Sequence, residues 1–271
     1  MEAPETFTSG IGQCRVSDLL VVDRVSRFFG GLAAVAGVSL HVDKGELVGL
    51  IGPNGAGKTT VFNLLTGVYA PNEGDISFMG RRLNGMRPSR VAASGIARTF
   101  QNIRLFPSLT VLQNVMVGAH IRARTGLMAA IAQSLGQRSE DARLRGECLS
   151  ILERLDLDGL ADEQSTSLPY GQQRRLEIAR ALATSPRLLL LDEPAAGMNP
   201  QEKADLMVLI QRLREDYDLT ILLIEHDMRL VMGICERIYV LDYGQIIAEG
   251  NPEEISTNPE VIAAYLGTEV V

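Results

Sequence analysis

Short apolar runs, each ended by a turn residue or a polar motif, predict the strands of this chain. Residues 47–51 (LVGLI), 188–191 and 219–224 are continuous apolar runs with the length of strands buried on both faces. Residues 19–25 and 38–42 instead contain alternating, β-rich stretches. Continuous runs are typical of parallel strands covered by helices, and alternation is typical of antiparallel strands. The pattern therefore predicts a parallel sheet with a small antiparallel sheet beside it.

Predicted helices separate the buried strands in the second half of the chain. Residues 176–184 and 200–215 show helical periodicity on either side of the 188–191 strand. Asn199 followed by Pro200 is a favourable N-cap and first-turn pair. This alternation of strand and helix predicts parallel strands joined by right-handed crossovers.

A long helical stretch interrupts the alternation. From residue 88 to about 166 the apolar positions recur at helix spacing, which predicts an inserted helical subdomain at about 100–170. Residues 74–78 predict a further short strand, and residues 237–242 and 245–248 predict a hairpin around Tyr243 and Gly244.

Composition and charge narrow the class of protein. The chain has 271 residues, 46% hydrophobic and 22% charged, with a net charge of −7, which argues weakly against a general nucleic-acid binder. Its three cysteines lack C-x-x-C spacing, so neither a disulfide framework nor a zinc site is expected. Residues 1–17 are expected to be a flexible leader without signal-peptide features, and residues 268–271 a short tail. No apolar run approaches the ~20 residues of a membrane span, so we expect a soluble chain.

The sequence GPNGAGKT at residues 52–59 is a complete phosphate-loop motif between a predicted strand and a predicted helix. Its glycines let successive backbone N–H groups face phosphate oxygens, and the helix N-terminus adds a favourable dipole. Lys58 is predicted to reach the β- and γ-phosphates, and the Thr59 hydroxyl to bind Mg²⁺. The predicted nucleotide contacts in this region are Gly52, Asn54, Gly55, Ala56, Gly57, Lys58, Thr59 and Thr60.

Two carboxylates follow the buried strand at residues 188–191. Asp192 lies at the predicted C-terminal end of the strand and is expected to hold Mg²⁺, and Glu193 to orient or deprotonate the attacking water. Taken alone, two acids in this position also fit a solvated strand end. Beside a phosphate loop they predict an enzyme that hydrolyses a nucleoside triphosphate.

Three further polar segments are candidates for the same chemistry. His226 follows the strand at 219–224, where ligands bind in open α/β sheets. Gln101 lies between the core and the helical insert and is expected to reach the metal or the attacking water. Residues 170–174 (YGQQR) place a glycine turn before a predicted helix, which is a second anion site. One nucleotide cannot occupy two sites on different subdomains, so this second site is expected to serve another subunit.

The order of these motifs resembles that of the ABC-type ATPases over nearly the whole chain. It comprises the Walker A loop (52–59), the Q-loop (Gln101), the signature (168–172), the Walker B strand (188–193), the D-loop (196–199) and the H-loop (His226). More closely, the chain is similar to ATP-binding subunits of branched-chain amino acid importers. The segments that carry this likeness are RTFQNIRLF (98–106), YGQQRRLEIARAL (170–182), LDEPAAGMNP (191–200), ILLIEHDMRLVMGICERIYVLDYG (221–244) and EVIAAYLG (260–267).

The resemblance implies an α/β fold with a RecA-like parallel-sheet nucleotide core, an antiparallel β subdomain and the inserted helical subdomain. Residues 18–267 would form one ABC ATPase domain. Two such cassettes, identical or different, would bind two ATP molecules with Mg²⁺, each between one subunit's Walker A loop and the other's signature. Catalytic roles are implied for Glu193, His226 and Gln101, and metal binding for Thr59, Gln101 and Asp192.

The resemblance also implies partners and further contacts. Two transmembrane permease subunits and an external solute-binding protein would complete the importer, with this chain peripheral at the cytoplasmic face of the inner or plasma membrane. Phe29 would stack on adenine, although it also fits a position in a β-sheet core. The remaining nucleotide contacts would be Tyr170, Gly171, Gln172 and, in the D-loop, Asn199. The segment 101–106 would form part of the groove for a permease helix, or else a loop packed on the helical subdomain.

Two residues depart from the common family pattern. Pro169 replaces the signature serine and offers neither a hydroxyl nor an N–H donor. We expect Gly171 and the helix N-terminus to bind the γ-phosphate without it. Asn199 stands where the D-loop usually has aspartate, and its amide is expected to hydrogen-bond across the dimer without charge.

Other functions fit parts of the pattern. A soluble ABC protein acting on nucleic acid or ribosomes usually has coiled-coil inserts or two cassettes, which this chain lacks. Its arginine pairs at 81–82 and 174–175 are interpreted as solvated or phosphate-side charges. A nucleotide-binding regulator without turnover is disfavoured by Glu193 and His226. The transported solute stays open among branched-chain and other amino acids, amides and urea.

Overall fold

The fold is that of a computed structural model, which describes residues 18–120 and 135–266. The predicted leader (1–17) and the whole of the predicted tail (268–271) lie outside these residues. A six-stranded sheet forms the centre, in the order β10-β9-β3-β8-β7-β6. Its strands are β3 (Leu47–Ile51), β6 (Ile96–Arg98), β7 (Leu188–Asp192), β8 (Thr220–Ile224), β9 (Arg237–Asp242) and β10 (Gln245–Gly250).

Five of these strands are parallel, and only β10 runs antiparallel, as the second strand of the predicted hairpin with β9. Every residue of β3, β7 and β8 is buried, which explains why these strands are apolar except for Asp192 at the end of β7 and Thr220 at the start of β8. Successive side chains alternate between the two faces, so Leu47 and Ile51 pack toward the helical side, and Val48 and Leu50 toward the antiparallel sheet. The predicted parallel sheet is confirmed.

A second, antiparallel sheet covers one face of the first. Its order is β2-β1-β4-β5, with β1 (Asp18–Phe29), β2 (Leu32–Asp43), β4 (Glu73–Phe78) and β5 (Arg81–Arg82). The first two strands are longer than predicted because they continue as a hairpin to the turn at Gly30 and Gly31. Helix α1 (Lys58–Leu65) packs between the two sheets through Val61 and Phe62.

Most of the remaining helices pack on the other face of the central sheet, and the exception is the helix at residues 88–93, whose Val91 packs on the side of the antiparallel sheet. They are α2 (Pro88–Ala93), α3 (Val111–Ala119), α4 (Leu135–Arg154), α5 (Tyr170–Leu182), α6 (Pro200–Tyr217), α7 (Met228–Ile234), α8 (Pro252–Thr257) and α9 (Pro259–Leu266). The predicted cap of α6 is confirmed, since Asn199 accepts a hydrogen bond from the backbone of Glu202 and the Glu202 carboxylate accepts one from the backbone of Asn199.

Two predictions in the middle of the chain are wrong. The stretch from residue 88 is not wholly helical, because β6 follows α2 and extends the parallel sheet beside β7. A three-residue strand is too short to produce a periodic signal. The glycine turn expected before helix α5 is also absent, since Tyr170 to Arg174 already form the first turns of that helix, directly after Pro169.

The central sheet should dominate the stability of the fold. Truncating Leu222, which is fully buried in β8, to alanine should lower the free energy of unfolding by about 3 kcal/mol, because it leaves a cavity between two packed layers. Leu32→Ala is the matched control, since Leu32 is 68% exposed and should change stability by less than about 0.5 kcal/mol. Urea denaturation followed by circular dichroism measures both, and equal losses would contradict this view of the core.

Candidate functional site

The phosphate loop connects β3 to α1 in the strand–loop–helix arrangement that the motif requires. Gly52 and Gly57 have φ angles of 149° and 107°, in the region that favours glycine. A Cβ on Gly52 would lie 1.9 Å from the carbonyl oxygen of Leu241, and one on Gly57 would lie 2.5 Å from that of Ala34. There is therefore no room for a side chain at Gly52 or Gly57. A Cβ added to Gly55, by contrast, would meet nothing within 4 Å.

Lys58 begins α1 and turns its ammonium back into the loop. Its Nζ donates hydrogen bonds to the carbonyl oxygens of Gly52 (2.7 Å) and Pro53 (2.9 Å). Burial lowers the pKa of Lys58, and the charges of Glu193 and Asp192 partly offset that effect. The Lys58 ammonium thus lies inside the loop near the two carboxylates, where it is placed to meet a bound phosphate.

The two predicted carboxylates lie at the end of β7 in different surroundings. The carboxylate of Asp192 is almost fully buried and accepts a 2.7 Å hydrogen bond from Nη2 of Arg98, on the neighbouring strand β6. Glu193 has a φ of 48°, and its backbone N–H donates to the carbonyl oxygen of Ile224 on β8. This turn sends the side chain of Glu193 away from that of Asp192 and toward the segment after β8.

Gln101 and His226 both meet the carboxylate of Glu193. Gln101 Nε2 donates a 2.9 Å hydrogen bond to Glu193 Oε2, and His226 Nδ1 lies 3.6 Å from the same oxygen. Gln101 lies 92 positions before Glu193 in the chain, and His226 lies 33 positions after it. The three residues therefore come from separate segments. The three predicted catalytic residues are therefore brought together at one carboxylate oxygen, which can hold and deprotonate a water molecule.

A buried carboxylate that the sequence did not single out supports this cluster. Glu225 follows β8 directly and is fully buried, and its oxygens accept hydrogen bonds from the backbone N–H groups of Ala195 (2.8 Å) and His226 (3.1 Å). Burial raises the pKa of Glu225, and these hydrogen bonds oppose the rise. Glu225 thereby joins the turn after Glu193 to the start of the His226 loop. Its only signal in sequence was an acidic residue directly after an apolar strand.

The signature residues occupy the first turn of α5. Pro169 is the N-cap residue and supplies no side-chain hydrogen bond to the helix. Tyr170 is half exposed and packs against Gly197 of the D-loop, since a Cβ on Gly197 would lie 3.3 Å from the tyrosine ring. Gly171 faces Glu202, whose Oε1 would lie 3.3 Å from an added Cβ. A helix N-terminus without a side-chain cap is suited to bind an anion.

A buried ion pair connects this helix to the Gln101 segment. Arg174 is 1% exposed, contrary to its interpretation as a solvated or phosphate-side charge. Its guanidinium donates to the carbonyl oxygens of Phe100 (2.5 Å) and Gln101, and to the carboxylate of Glu177. Glu177 in turn accepts hydrogen bonds from the backbone N–H groups of Phe100 and Arg104. Burial raises the pKa of Glu177, and Arg174 counters this.

The D-loop asparagine is partly used within its own chain. The Asn199 side-chain oxygen accepts a hydrogen bond of 3.0 Å from the backbone N–H of Glu202 and caps helix α6. The expected contact of Asn199 across a dimer is thus restricted to its NH₂ group.

Phe29 lies at the end of β1, 39% exposed, so the alternative that it belongs to the sheet core is wrong. Its ring makes an edge contact with Tyr69 at 5.1 Å, and the guanidinium of Arg27 lies 4.7 Å from its centroid. Phe28 is equally exposed, so exposure alone does not distinguish the two rings as a stacking platform.

An apolar groove of about 440 Å³ lies beside the Gln101 segment. Phe106, which is 45% exposed, and Val117 line it on one side, and Val68 and Val91 on another. The guanidinium of Arg180 lies 5.6 Å from the Phe106 ring. Phe106 is therefore presented to the surface of the groove rather than packed into the helices.

The predicted metal ligands fit Mg²⁺ by their chemistry. Thr59, Asp192 and Gln101 offer a hydroxyl, a carboxylate and an amide oxygen, which are the hard donors that Mg²⁺ prefers. One oxygen of the Asp192 carboxylate accepts a hydrogen bond from Arg98, and the amide nitrogen of Gln101 donates one to Glu193. The structure thus brings Gln101 to the carboxylate of Glu193, and its amide oxygen remains as a candidate metal ligand.

Comparison with known proteins agrees with this arrangement. A family profile described as ABC transporter matches residues 35–196, and one described as branched-chain amino acid ATP-binding cassette transporter matches residues 245–271. The chain is similar to LivG of Salmonella typhimurium, a high-affinity branched-chain amino acid transport ATP-binding protein. The two are 50% identical over 249 residues, which is 92% of this chain and 98% of that protein.

Solved structures share the fold over nearly the whole chain. An ATP-binding cassette of an ABC transporter in its ADP conformation matches with a TM-score of 0.80 at 31% identity, covering 92% of this chain and 99% of that one. A dimeric bacterial ABC transporter cassette matches with a TM-score of 0.73 at 27% identity, covering 86% and 98%. Among the described residues, no helix has both the length and the apolar character needed to cross a bilayer. With its phosphate loop, its nucleotide-binding fold and these matches, the chain belongs to the ATP-binding cassettes of the ABC transporter family.

Proposed function

We propose that this protein hydrolyses ATP to drive the import of branched-chain amino acids through a membrane permease. The hydrolytic part rests on one observation: Gln101 and His226 meet at one oxygen of Glu193, at the carboxyl end of the same parallel sheet whose strand β3 leads into the phosphate loop. The C-terminal profile match and the likeness to LivG support the transport part.

In this mechanism the loop binds the triphosphate and Lys58 neutralises its β- and γ-oxygens. Glu193 accepts the proton of the attacking water. His226 and Gln101 hold that water and the Glu193 carboxylate in a fixed position relative to each other. Most of the acceleration comes from positioning and from charge stabilisation in a site that is already organised before ATP arrives. The contact of Gln101 and His226 with Glu193 supports this preorganisation.

Thr59, Asp192 and Gln101 would hold the metal ion. If Mg²⁺ is bound by these residues, it would offset the negative charge that develops during phosphoryl transfer. Asp192 suits this role because it is buried at the end of β7 with one oxygen fixed, so its carboxylate has a defined orientation. Phe29 and the loop residues Asn54, Gly55, Ala56 and Thr60 would complete the contacts to the nucleotide.

The second cassette would close the site. Tyr170, Gly171 and Gln172 of one subunit would meet the γ-phosphate held by the other, with the uncapped start of α5 as the anion-binding group in place of the missing serine. The Asn199 NH₂ group would reach across the same interface. The dimeric cassette with the same fold supports a two-subunit arrangement, and the partner is a second copy or a related cassette.

The apolar groove would receive a cytoplasmic helix of a permease subunit. It is lined by exposed apolar side chains, including Phe106 and Val117, and it adjoins the Gln101 segment, so a helix seated there would touch the backbone that positions Gln101. Two such permease subunits would hold the cassettes at the cytoplasmic face of the membrane, and an external binding protein would deliver the solute.

No observation favours the other candidate functions. Glu193, His226 and Gln101 meet at one carboxylate oxygen, which argues against a regulator that only binds nucleotide. The likeness to an amino acid transport protein argues against a soluble cassette that acts on nucleic acid or ribosomes. Of the arginine pairs, Arg174 is buried, and Arg81 and Arg82 are exposed on β5, where Arg82 pairs with Asp75.

The role of Glu193 can be tested by Glu193→Gln. The amide keeps the shape but cannot accept the water proton, so turnover should fall by ~10²-fold or more while nucleotide affinity is retained. Phosphate release and binding of a fluorescent ATP analogue measure the two effects. Glu163→Gln, at an exposed position, is the control and should leave both values unchanged. Near-normal turnover in Glu193→Gln would overturn the assignment.

The groove can be tested by Phe106→Asp. A charge in the apolar surface should reduce co-purification with the cognate permease subunits by at least ~10-fold, because the carboxylate would lose its water when the helix docks. Val208→Asp is the matched control, since Val208 is 56% exposed on α6. Thermal unfolding checks that both variants fold. Unchanged association of Phe106→Asp would favour the alternative that residues 101–106 form only a packed loop.

The solute can be tested in vesicles that contain the whole transporter with its binding protein. ATP-dependent uptake of leucine, isoleucine or valine should be saturable and should be lost with the Glu193→Gln chain. Uptake of urea or an aliphatic amide in place of these amino acids would retain the ATPase assignment and reject the proposed solute.

A further inference from the structure

We infer that Arg98 is a positioning residue for the metal site, because it ties the element that carries Asp192 to the helix that carries Thr59. The inference rests on the proposed function in that it assigns a task to a residue beside the proposed metal ligands. Arg98 ends β6, the short edge strand that the sequence pattern did not predict.

The guanidinium of Arg98 makes two hydrogen bonds of equal length in two directions. Nη2 donates to Asp192 Oδ2 at 2.7 Å, and Nη1 donates to Asn63 Oδ1 at 2.7 Å. Asn63 belongs to α1, four positions after Thr59, so the two residues share one face of that helix. Arg98 is thus a bridge between the strand end and the helix from which the two expected metal ligands project.

The bridge is rigid as well as short. The guanidinium lies 5.5 Å from the ring centroid of Phe62 and 5.2 Å from that of Phe100, within the range of cation–π contacts. The side chain of Arg98 is 7% exposed and that of Asp192 is 4% exposed. Water therefore does not compete for this pair, and the planar group has little freedom to rotate.

Stability alone does not account for this placement. A buried ion pair is often no better for stability than apolar residues of the same volume. Arg98 Nε is also buried without a hydrogen-bond partner among the described residues, so the arginine is not fully satisfied. What the geometry does provide is a fixed orientation of the Asp192 carboxylate, with Oδ2 on Arg98 and Oδ1 left for the metal's coordination sphere.

Partners behind metal ligands typically change metal affinity or activity by 10- to 100-fold when they are removed. Arg98→Lys keeps the charge but loses the planar fork that spans two acceptors. Asn63→Ala removes the other end of the bridge and leaves Arg98 beside Asp192. Each variant should raise the Mg²⁺ concentration that half-saturates binding of a fluorescent, non-hydrolysable ATP analogue by about 10-fold. Their affinity for the same analogue in EDTA should stay within about twofold of the parent protein.

The double variant tests whether the two residues act as one bridge. If they do, combining Arg98→Lys with Asn63→Ala should raise the Mg²⁺ requirement no further than the stronger single change, since neither half works alone. Arg82→Lys is the control, because Arg82 forms an exposed pair with Asp75 on the antiparallel sheet. Thermal unfolding identifies any variant that fails to fold. If Arg98→Lys does not fold, Asn63→Ala still tests the inference, because Asn63 is partly exposed.

Three results would overturn the inference: a shift of less than about twofold in the Mg²⁺ requirement, an equal loss of affinity in EDTA, or additive effects in the double variant. The first would show that the bridge does not serve the metal, the second that it only supports the fold, and the third that the residues act separately. Failure of the parent protein to bind the analogue more tightly with Mg²⁺ would instead contradict the proposed function.

Discussion

The parallel register of β3, β8 and β7 is the constraint on which the site depends. Leu50 pairs with Ile224, and Ile224 pairs with Asp192, so the three strands end at the same level. The chain leaves each strand at this edge with its functional segment: the phosphate loop, the Glu193 turn and the His226 loop. Apolar packing on both faces fixes this register, because a shift by one residue would turn every buried side chain to the opposite layer.

The sequence was enough to predict the motifs and the three strands, since buried strands and phosphate-loop geometry both depend on local patterns. It did not predict how charges are buried. The sequence gives no sign that Arg174, Glu177 and Glu225 are buried. Their hydrogen-bond partners include backbone groups on segments far away in the chain. Arg98 was missed as well, since its three-residue strand has no periodic signal and its acceptors come from two other elements.

These buried charges connect parts of the site that the motifs describe separately. Arg174 and Glu177 hold the backbone on both sides of Gln101 from a helix that begins with the signature residues. Gln101 in turn holds Glu193. If a nucleotide on a partner cassette met the N-terminus of helix α5, as proposed, a displacement of that helix would have a direct physical route to the proposed catalytic base. The same segment lines the apolar groove, so the proposed docking of a permease helix would act on the same backbone.

The central claim is that Glu193, His226 and Gln101 form one hydrolytic centre facing the phosphate loop. A crystal structure of the protein with ADP, Mg²⁺ and orthovanadate tests it most directly, because vanadate takes the place of the transferred phosphoryl group. We expect an axial oxygen within hydrogen-bond distance of the Glu193 carboxylate, flanked by His226 and Gln101. An axial oxygen in contact with other side chains, with Glu193 turned away from it, would show that these residues do not form the hydrolytic centre.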